Sequence, residues 1–242
     1  MAVVITIANE KGGVGKTTTG VNLAAGLTLR LAAESGANGR VLLIDLDPQG
    51  HALMSAGYGS HEAPFSQSLA ALLVESPPPS VQPILRRAVH HPGLYYIPGN
   101  RAAMVEAARV LPTLMANESR LRGALAPIME YFSYIIIDTP PATGDLLING
   151  LAAATHIIIP VEASYLGVSG LRELQRTIEE VKRHFSPDLS VLGYLPTLCD
   201  EQRSETQEIL TEMQRRYPGK VFAPIHKSAD LAYAHSAHMD VF

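Results

Sequence analysis

Short runs of β-branched and aliphatic residues alternate along the chain with longer stretches whose apolar positions recur every three or four residues. Val3–Ala8 is the first such run, bounded by a glycine-rich segment, and predicts a strand buried on both faces. Residues Thr17–Ala33 follow with helical spacing at Val21, Leu23, Ala24, Leu27 and Leu31. Further strands are predicted at Val41–Asp45, Leu94–Pro98 (the weakest), Tyr134–Asp138, His156–Val161 and Ser190–Leu195, with helices over Gly170–Phe185 and Ser204–Tyr217. Strand and helix in alternation predict an α/β fold: a doubly wound, mostly parallel sheet with helices on both faces, built as a single domain over residues 1–242. In such a sheet ligands bind at the carboxyl ends of the strands. Pro77-Pro78-Pro79 is expected to be a rigid surface connector, because sheet-type segments resume beyond it.

Composition narrows the class. Hydrophobic residues make up 47% of the 242, enough for a substantial core. The apolar start is broken at once by Asn9, Glu10 and Lys11, which does not fit a secretory leader. The longest uncharged stretch, Leu146 to Val161, is interrupted by Asn149, Gly150, His156 and Pro160 and is too short to span a bilayer. A cytoplasmic protein is expected. Cys199, the single cysteine, excludes an intrachain disulfide framework. The net charge of −4 argues against a wholly basic nucleic-acid binder, yet residues 86–122 hold six Lys/Arg against two Asp/Glu, so a local basic face stays open.

The chemistry concentrates after the first strand. Gly12-Gly13-Val14-Gly15-Lys16-Thr17 opens the first helix, although Glu10 stands where the general phosphate-loop pattern has its first glycine. Glycines let successive N–H groups converge on phosphate oxygens and the helix N-terminus adds partial positive charge. Lys16 is placed to reach the β/γ-phosphates and the Thr17 hydroxyl to ligand Mg²⁺. Asp45-Leu46-Asp47-Pro48-Gln49-Gly50 follows the second strand, with two carboxylates at i, i+2 expected on one side, toward the nucleotide; the alternative is a pair capping the turn before Pro48. Asp138 ends the apolar run Ile135-Ile136-Ile137 and is placed to hold Mg²⁺ through a water, or else to cap the segment after it.

Lys11-Gly12-Gly13-Val14-Gly15-Lys16-Thr17-Thr18 resembles the deviant Walker A signature of the ParA/MinD superfamily, and Asp-Leu-Asp-Pro-Gln-Gly and Ile-Ile-Ile-Asp-Thr-Pro-Pro resemble its two switch motifs. The resemblance covers about residues 2–200 and is nearest to ParA/Soj-type partition ATPases. It implies ATP and Mg²⁺ as cofactors, with residues 11–18 around the phosphates, Thr17, Asp45 and Asp138 around the metal, and Lys11, Lys16 and Asp47 in catalysis. Lys11 would reach the nucleotide of the partner in an ATP-dependent homodimer, and Asp47 would direct the attacking water. It also implies slow hydrolysis stimulated by a ParB-like adaptor, binding of non-specific double-stranded DNA, a nucleoid-associated location, and positioning of plasmid, chromosome or protein cargo.

Other branches fit less well. An iron-protein branch needs cluster cysteines that one Cys199 cannot supply, and arsenite-type transport ATPases are longer tandem repeats. A MinD-like membrane-associated regulator is the main alternative, but residues 235–242 carry no Lys or Arg for a basic amphipathic helix, so no membrane partner is expected. The family pattern runs on past a motif resembling Asp240-Val241-Phe242 into a final helix that these residues do not contain. A metabolic ligase of the dethiobiotin synthetase type would leave Lys11 unexplained. DNA contact would be electrostatic, with candidates Arg172, Arg176, Lys182, Arg183, Arg203, Arg215, Arg216, Lys220 and Lys227. A second basic group comprises Arg86, Arg87, Arg101, Arg109, Arg120 and Arg122. Each of these could equally be a solvated surface charge.

Overall fold

The computed structural model describes residues 1–35, 39–57, 63–200 and 202–242. Its strands are β1 (Val3–Ile7), β2 (Val41–Asp45), β3 (Arg86–Arg87), β4 (Leu94–Tyr96), β5 (Tyr134–Asp138), β6 (His156–Glu162) and β7 (Ser190–Thr197). The helices are α1 (Lys16–Ser35), α2 (His51–Ser55), α3 (Leu69–Val74), α4 (Arg101–Val110), α5 (Arg120–Leu125), α6 (Asp145–Ala153), α7 (Tyr165–Ser169), α8 (Leu171–His184), α9 (Ser204–Arg216) and α10 (Ala229–Ser236). Among the described residues the strands form one sheet in the order β3-β4-β2-β5-β1-β6-β7, parallel except where β3 pairs with β4.

Alternation within each strand explains why the sheet is covered on both faces. Val4, Leu42, Ile44, Ile135, Ile137, Ile157 and Ile159 enter a large core shared with α3–α6, α8 and α9. Their neighbours Ile5, Ile7, Val41, Leu43, Ile136 and Ile158 enter a second core under α1 and α2. Near-continuous apolar strands are what such double burial requires. The predicted doubly wound sheet is therefore the fold. The two-residue β3 was not legible, since Arg86-Arg87 carries no apolar alternation; main-chain pairing with Tyr95 and Tyr96 makes it a strand. Pro98, which lacks an N–H, lies beyond the end of β4 at Tyr96.

The sheet carries α6 unusually close. A Cβ on Gly150 would meet Thr139 Cγ2 at 3.0 Å and Leu46 Cδ1 at 3.1 Å, so glycine lets the helix lie against the loops after β2 and β5. Thr6 Oγ1 donates to the Gly150 carbonyl at 2.7 Å, fixing α6 to β1. Asn149 holds the other side, accepting from Leu121 N–H and donating to the Asn117 and Asp145 carbonyls. Among the described residues no helix is long and apolar enough to cross a membrane.

Candidate nucleotide site

The carboxyl ends of β1, β2, β5, β6 and β7 bring together residues from five distant stretches of sequence. Registers of Ile7 with Asp138, Asp45 with Asp138 and Glu162 with Thr197 place them on one rim. The loop from β1 to α1 is the centre of that rim. Gly13 and Gly15 adopt φ of 75° and 84°, a backbone that side chains rarely tolerate. A Cβ at Gly13 would meet nothing within 4 Å, so conformation rather than space dictates glycine there and the loop stays open on that side. Its shape is held from three directions. Asn9 Nδ2 donates to the Pro160 carbonyl at 2.7 Å, Lys11 N–H donates to Asn9 Oδ1 at 2.9 Å, and Thr197 Oγ1 donates to the Val14 carbonyl at 2.9 Å. The helix that follows has no acid in its first turn, leaving its N-terminus favourable to an anion. Glu10 is hydrogen-bonded by Thr177 of α8, at 3.1 Å.

Lys16, Thr17 and Asp138 come together at the start of α1. Lys16 is buried, with 6% of the residue exposed, and its ammonium donates to the Lys11 carbonyl at 2.9 Å, curling back over the loop. Burial pulls its pKa down, opposed by the charges of Asp138 and Asp47. Thr17 Oγ1 donates to Asp138 Oδ2 at 2.7 Å. The other carboxylate oxygen, Asp138 Oδ1, is buried with no hydrogen-bond partner among the described residues. A buried acceptor left open beside a hydroxyl is hard-oxygen chemistry suited to Mg²⁺. Among the described residues no three His, Cys, Asp or Glu side chains could hold a metal between them, so such an ion needs further oxygens, as Mg²⁺ obtains from phosphates and water.

Burial raises the Asp138 carboxyl from its ordinary 3.8 to about 7. The folded chain thus binds that proton more tightly than the unfolded chain, and its unliganded stability falls as pH climbs between those two values. Asp138→Asn cannot ionise. In nucleotide-free urea titrations the variant should therefore gain stability relative to the parent between about pH 5 and about pH 7.5. A stability difference independent of pH across that window contradicts the assignment.

The two carboxylates at the end of β2 make different contacts; Asp45 is the last residue of the strand and Asp47 lies in the loop beyond it. Asp45 Oδ1 accepts from Asp47 N–H at 3.0 Å and Oδ2 from Ala52 N–H at 2.8 Å, binding the loop to the start of α2. Burial, reinforced by Asp138, raises its pKa well above the carboxylate range. Asp47 is only partly buried; its Oδ1 accepts from Gln49 N–H at 2.9 Å and its charge acts on Lys16. Lys11 points elsewhere, to an ion pair with Glu162 at the end of β6, both side chains about one-third exposed (35% and 36%). Thr18 lines the cavity described next.

Beside the loop lies a cavity of about 560 Å³, walled by Gly15, Thr18, Asn22 and Leu23 on one side and by Leu195, Thr197, Ile225 and Leu231 on the other. It is mostly apolar and opens on the phosphate loop, the environment a nucleoside needs. The sequence reading missed these walls, since they come from β7, α10 and the connections around them and carry no motif. Cys199 is buried close by, with its thiol pushed up by burial.

Many of the basic residues have partners within the chain. Arg172 and Arg216 meet across a groove, but Glu208 and Glu212 line it too. Arg203 pairs with Asp200 and Arg215 with Glu212, Arg216 lies over the Tyr217 ring, and Lys220 donates to the Val191 carbonyl. Arg176, Lys182 and Arg183 lie on α8 and Lys227 lines the cavity. Much of the 86–122 charge serves the main chain: Arg86, Arg87, Arg120 and Arg122 donate to the carbonyls of Pro83, Pro92, Glu75 and Phe185, while Arg109 pairs with Glu106.

The sequence profile of a family described as AAA domain matches residues 2–191. The sporulation initiation inhibitor protein Soj of Bacillus subtilis is 35% identical over 225 residues, 93% of this chain and 84% of its own. The chain belongs to the ParA/MinD superfamily. A chromosome partitioning protein ParA from Myxococcus xanthus is 36% identical over 228 residues, 92% of this chain and 74% of its own. Among solved structures, cobyrinic acid a,c-diamide synthase from Mycobacterium smegmatis with a bound ATP analog and magnesium superposes with a TM-score of 0.81 at 33% identity, covering 98% of this chain and 93% of that one. Partition proteins and a synthase thus share the ParA/MinD fold, and fold alone does not choose between them.

Proposed function

We propose that the chain is an ATP-hydrolysing switch that dimerises on ATP, binds non-specific duplex DNA in that state, and partitions or positions a cargo. The observation that carries this reading is the division of labour between two loop lysines. Lys16 is buried toward Asp138, while Lys11 stands on the rim in an exchangeable ion pair with Glu162. A single-subunit phosphate site needs the first; the second is suited to a phosphate offered by another subunit. Relatives named Soj and ParA support partition over the synthase reading.

Bound Mg²⁺ would be held by Thr17 Oγ1 and, directly or through water, by Asp138 Oδ1, and would supply charge neutralisation on the phosphates. The loop N–H groups after Gly12 and the Lys16 ammonium orient the phosphate chain. Thr18 and the apolar cavity take the nucleoside. Asp47, a half-buried acid whose charge acts on Lys16 and whose side chain is not tied into α2, positions the attacking water, while Asp45 keeps that loop in place. Lys11→Ala should therefore bind ATP nearly as the parent does yet remain monomeric in light scattering. Dimerisation of that variant with ATP contradicts the role given to Lys11.

The candidates for the DNA contact that share one helix are Arg172, Arg176, Lys182 and Arg183 of α8, and a ParB-like adaptor would stimulate turnover. The discriminating experiment measures binding to arbitrary duplex DNA and to anionic liposomes, with ADP and with a slowly hydrolysed ATP analog, at about 50 mM and about 200 mM salt. Binding to DNA only, dependent on the ATP analog and weakened steeply by salt, is expected. ATP-dependent lipid binding without DNA binding would instead favour a MinD-like regulator.

A further inference from the structure

The residues 238–242 form a strap that leaves α10, passes α2 and lies along α1. Little apolar burial holds it: Met239, Val241 and Phe242 are 58%, 45% and 65% exposed. Polar fastenings do the holding instead. His238 Nδ1 contacts the Met54 carbonyl at 2.9 Å, and Val241 N–H donates to Asn22 Oδ1 at 2.9 Å. Asp240 is the only strap residue that is buried, and its Oδ2 is hydrogen-bonded to His91 Nε2 at 2.7 Å, with both side chains below one-tenth exposed. His91 belongs to the turn between β3 and β4, far along the chain and absent from every motif of the nucleotide site. Asp240 Oδ1 also accepts from Phe242 N–H at 3.1 Å, and the Phe242 ring rests against α1 at Gly26, where an added Cβ would come within 3.2 Å of it.

Fastening this strap has a consequence at the site. Val241, next to the Asp240 anchor, is part of the wall of the apolar cavity beside the phosphate loop. Asn22, which receives the Val241 N–H, also donates to the Thr18 carbonyl at 2.9 Å, tying the strap to the first turns of α1. A hydrogen bond between two buried polar side chains fixes their relative position, because losing it costs more where water does not reach.

We propose that His91 is a positioning residue for nucleoside binding: through Asp240 it sets Val241 as a wall of the cavity, and so tunes affinity for base and ribose without touching the phosphate grip. This rests on reading that cavity as the nucleoside site. The phosphate loop is held separately, by Asn9, Thr197 and Lys16, none of which contacts the strap in the hydrogen bonds described above.

The test compares Mg·ATP with inorganic tripolyphosphate, a ligand that has the phosphates and no nucleoside, by isothermal titration calorimetry. His91→Ala should weaken ATP about tenfold, the scale of a lost hydrogen-bonded wall, and leave tripolyphosphate within about twofold. His91→Gln, which keeps a side-chain N–H for Asp240, should recover most of the loss. Equal weakening of both ligands would show general loosening of the fold and overturn the proposal, as would no weakening of either. Leu231→Trp, which narrows the cavity from α10, separates the two layers of the argument. If it leaves ATP binding intact, the cavity is not the nucleoside site; if it impairs ATP while His91→Ala is silent, only the strap proposal falls.

Discussion

Lys16→Ala is expected to abolish ATP binding. The ammonium is buried, close enough to Asp138 and Asp47 for both charges to act on it, and closes the phosphate loop by its bond to the Lys11 carbonyl. Removing one partner from a buried charge cluster costs about 3–5 kcal/mol, or at least about a hundredfold in affinity. Here the loss falls on both sides: the loop loses its internal bond and the phosphates lose their closest cation. The fold should survive, because the apolar strands of both cores do not depend on this side chain. Calorimetry with ATP and an unchanged circular dichroism spectrum would check the two halves. ATP affinity within about tenfold of the parent would contradict the placement of Lys16 at the phosphates.

Asp47→Ala should behave in the opposite way. Binding is expected to persist, since Lys16, Thr17 and Asp138 remain, while phosphate release falls by about 10²–10⁴, the usual contribution of a group that positions or deprotonates a nucleophile. Asp45→Ala offers the contrast. Asp45 satisfies the N–H groups of Asp47 and Ala52, so its loss should disorganise the loop and lower both stability and turnover. A protein with Asp47→Ala that releases phosphate at the parental rate would remove Asp47 from the mechanism.

Why some of this was legible in the sequence and some was not follows from what each part requires. A phosphate cradle needs consecutive N–H groups, so Gly12–Thr18 is local by necessity, and Lys16 and the preceding Lys11 are readable in order. The central strands were legible because double burial leaves an unbroken apolar run, as in Ile135-Ile136-Ile137. The bonds that Asp45 makes to the N–H groups of Asp47 and Ala52 were not legible, because they depend on how the chain turns from β2 into α2. The cavity walls were invisible because an apolar surface can be assembled from any segments the topology brings near, here Leu23, Leu195, Ile225 and Leu231. Charge counting along the chain overstated the 86–122 stretch, whose arginines mostly cap carbonyls. His91 and Asp240 lie 149 residues apart, and nothing in either neighbourhood announces the other.

The central claim is that ATP, and not ADP, assembles two copies through the rim that carries Lys11. Sedimentation velocity of Asp47→Ala with Mg·ATP and with Mg·ADP measures this directly, because hydrolysis no longer erases the ATP state. A dimer with ATP and a monomer with ADP are expected, and a monomer in both when Lys11→Ala is added. One mass under both nucleotides, or a dimer indifferent to Lys11, would contradict that expectation.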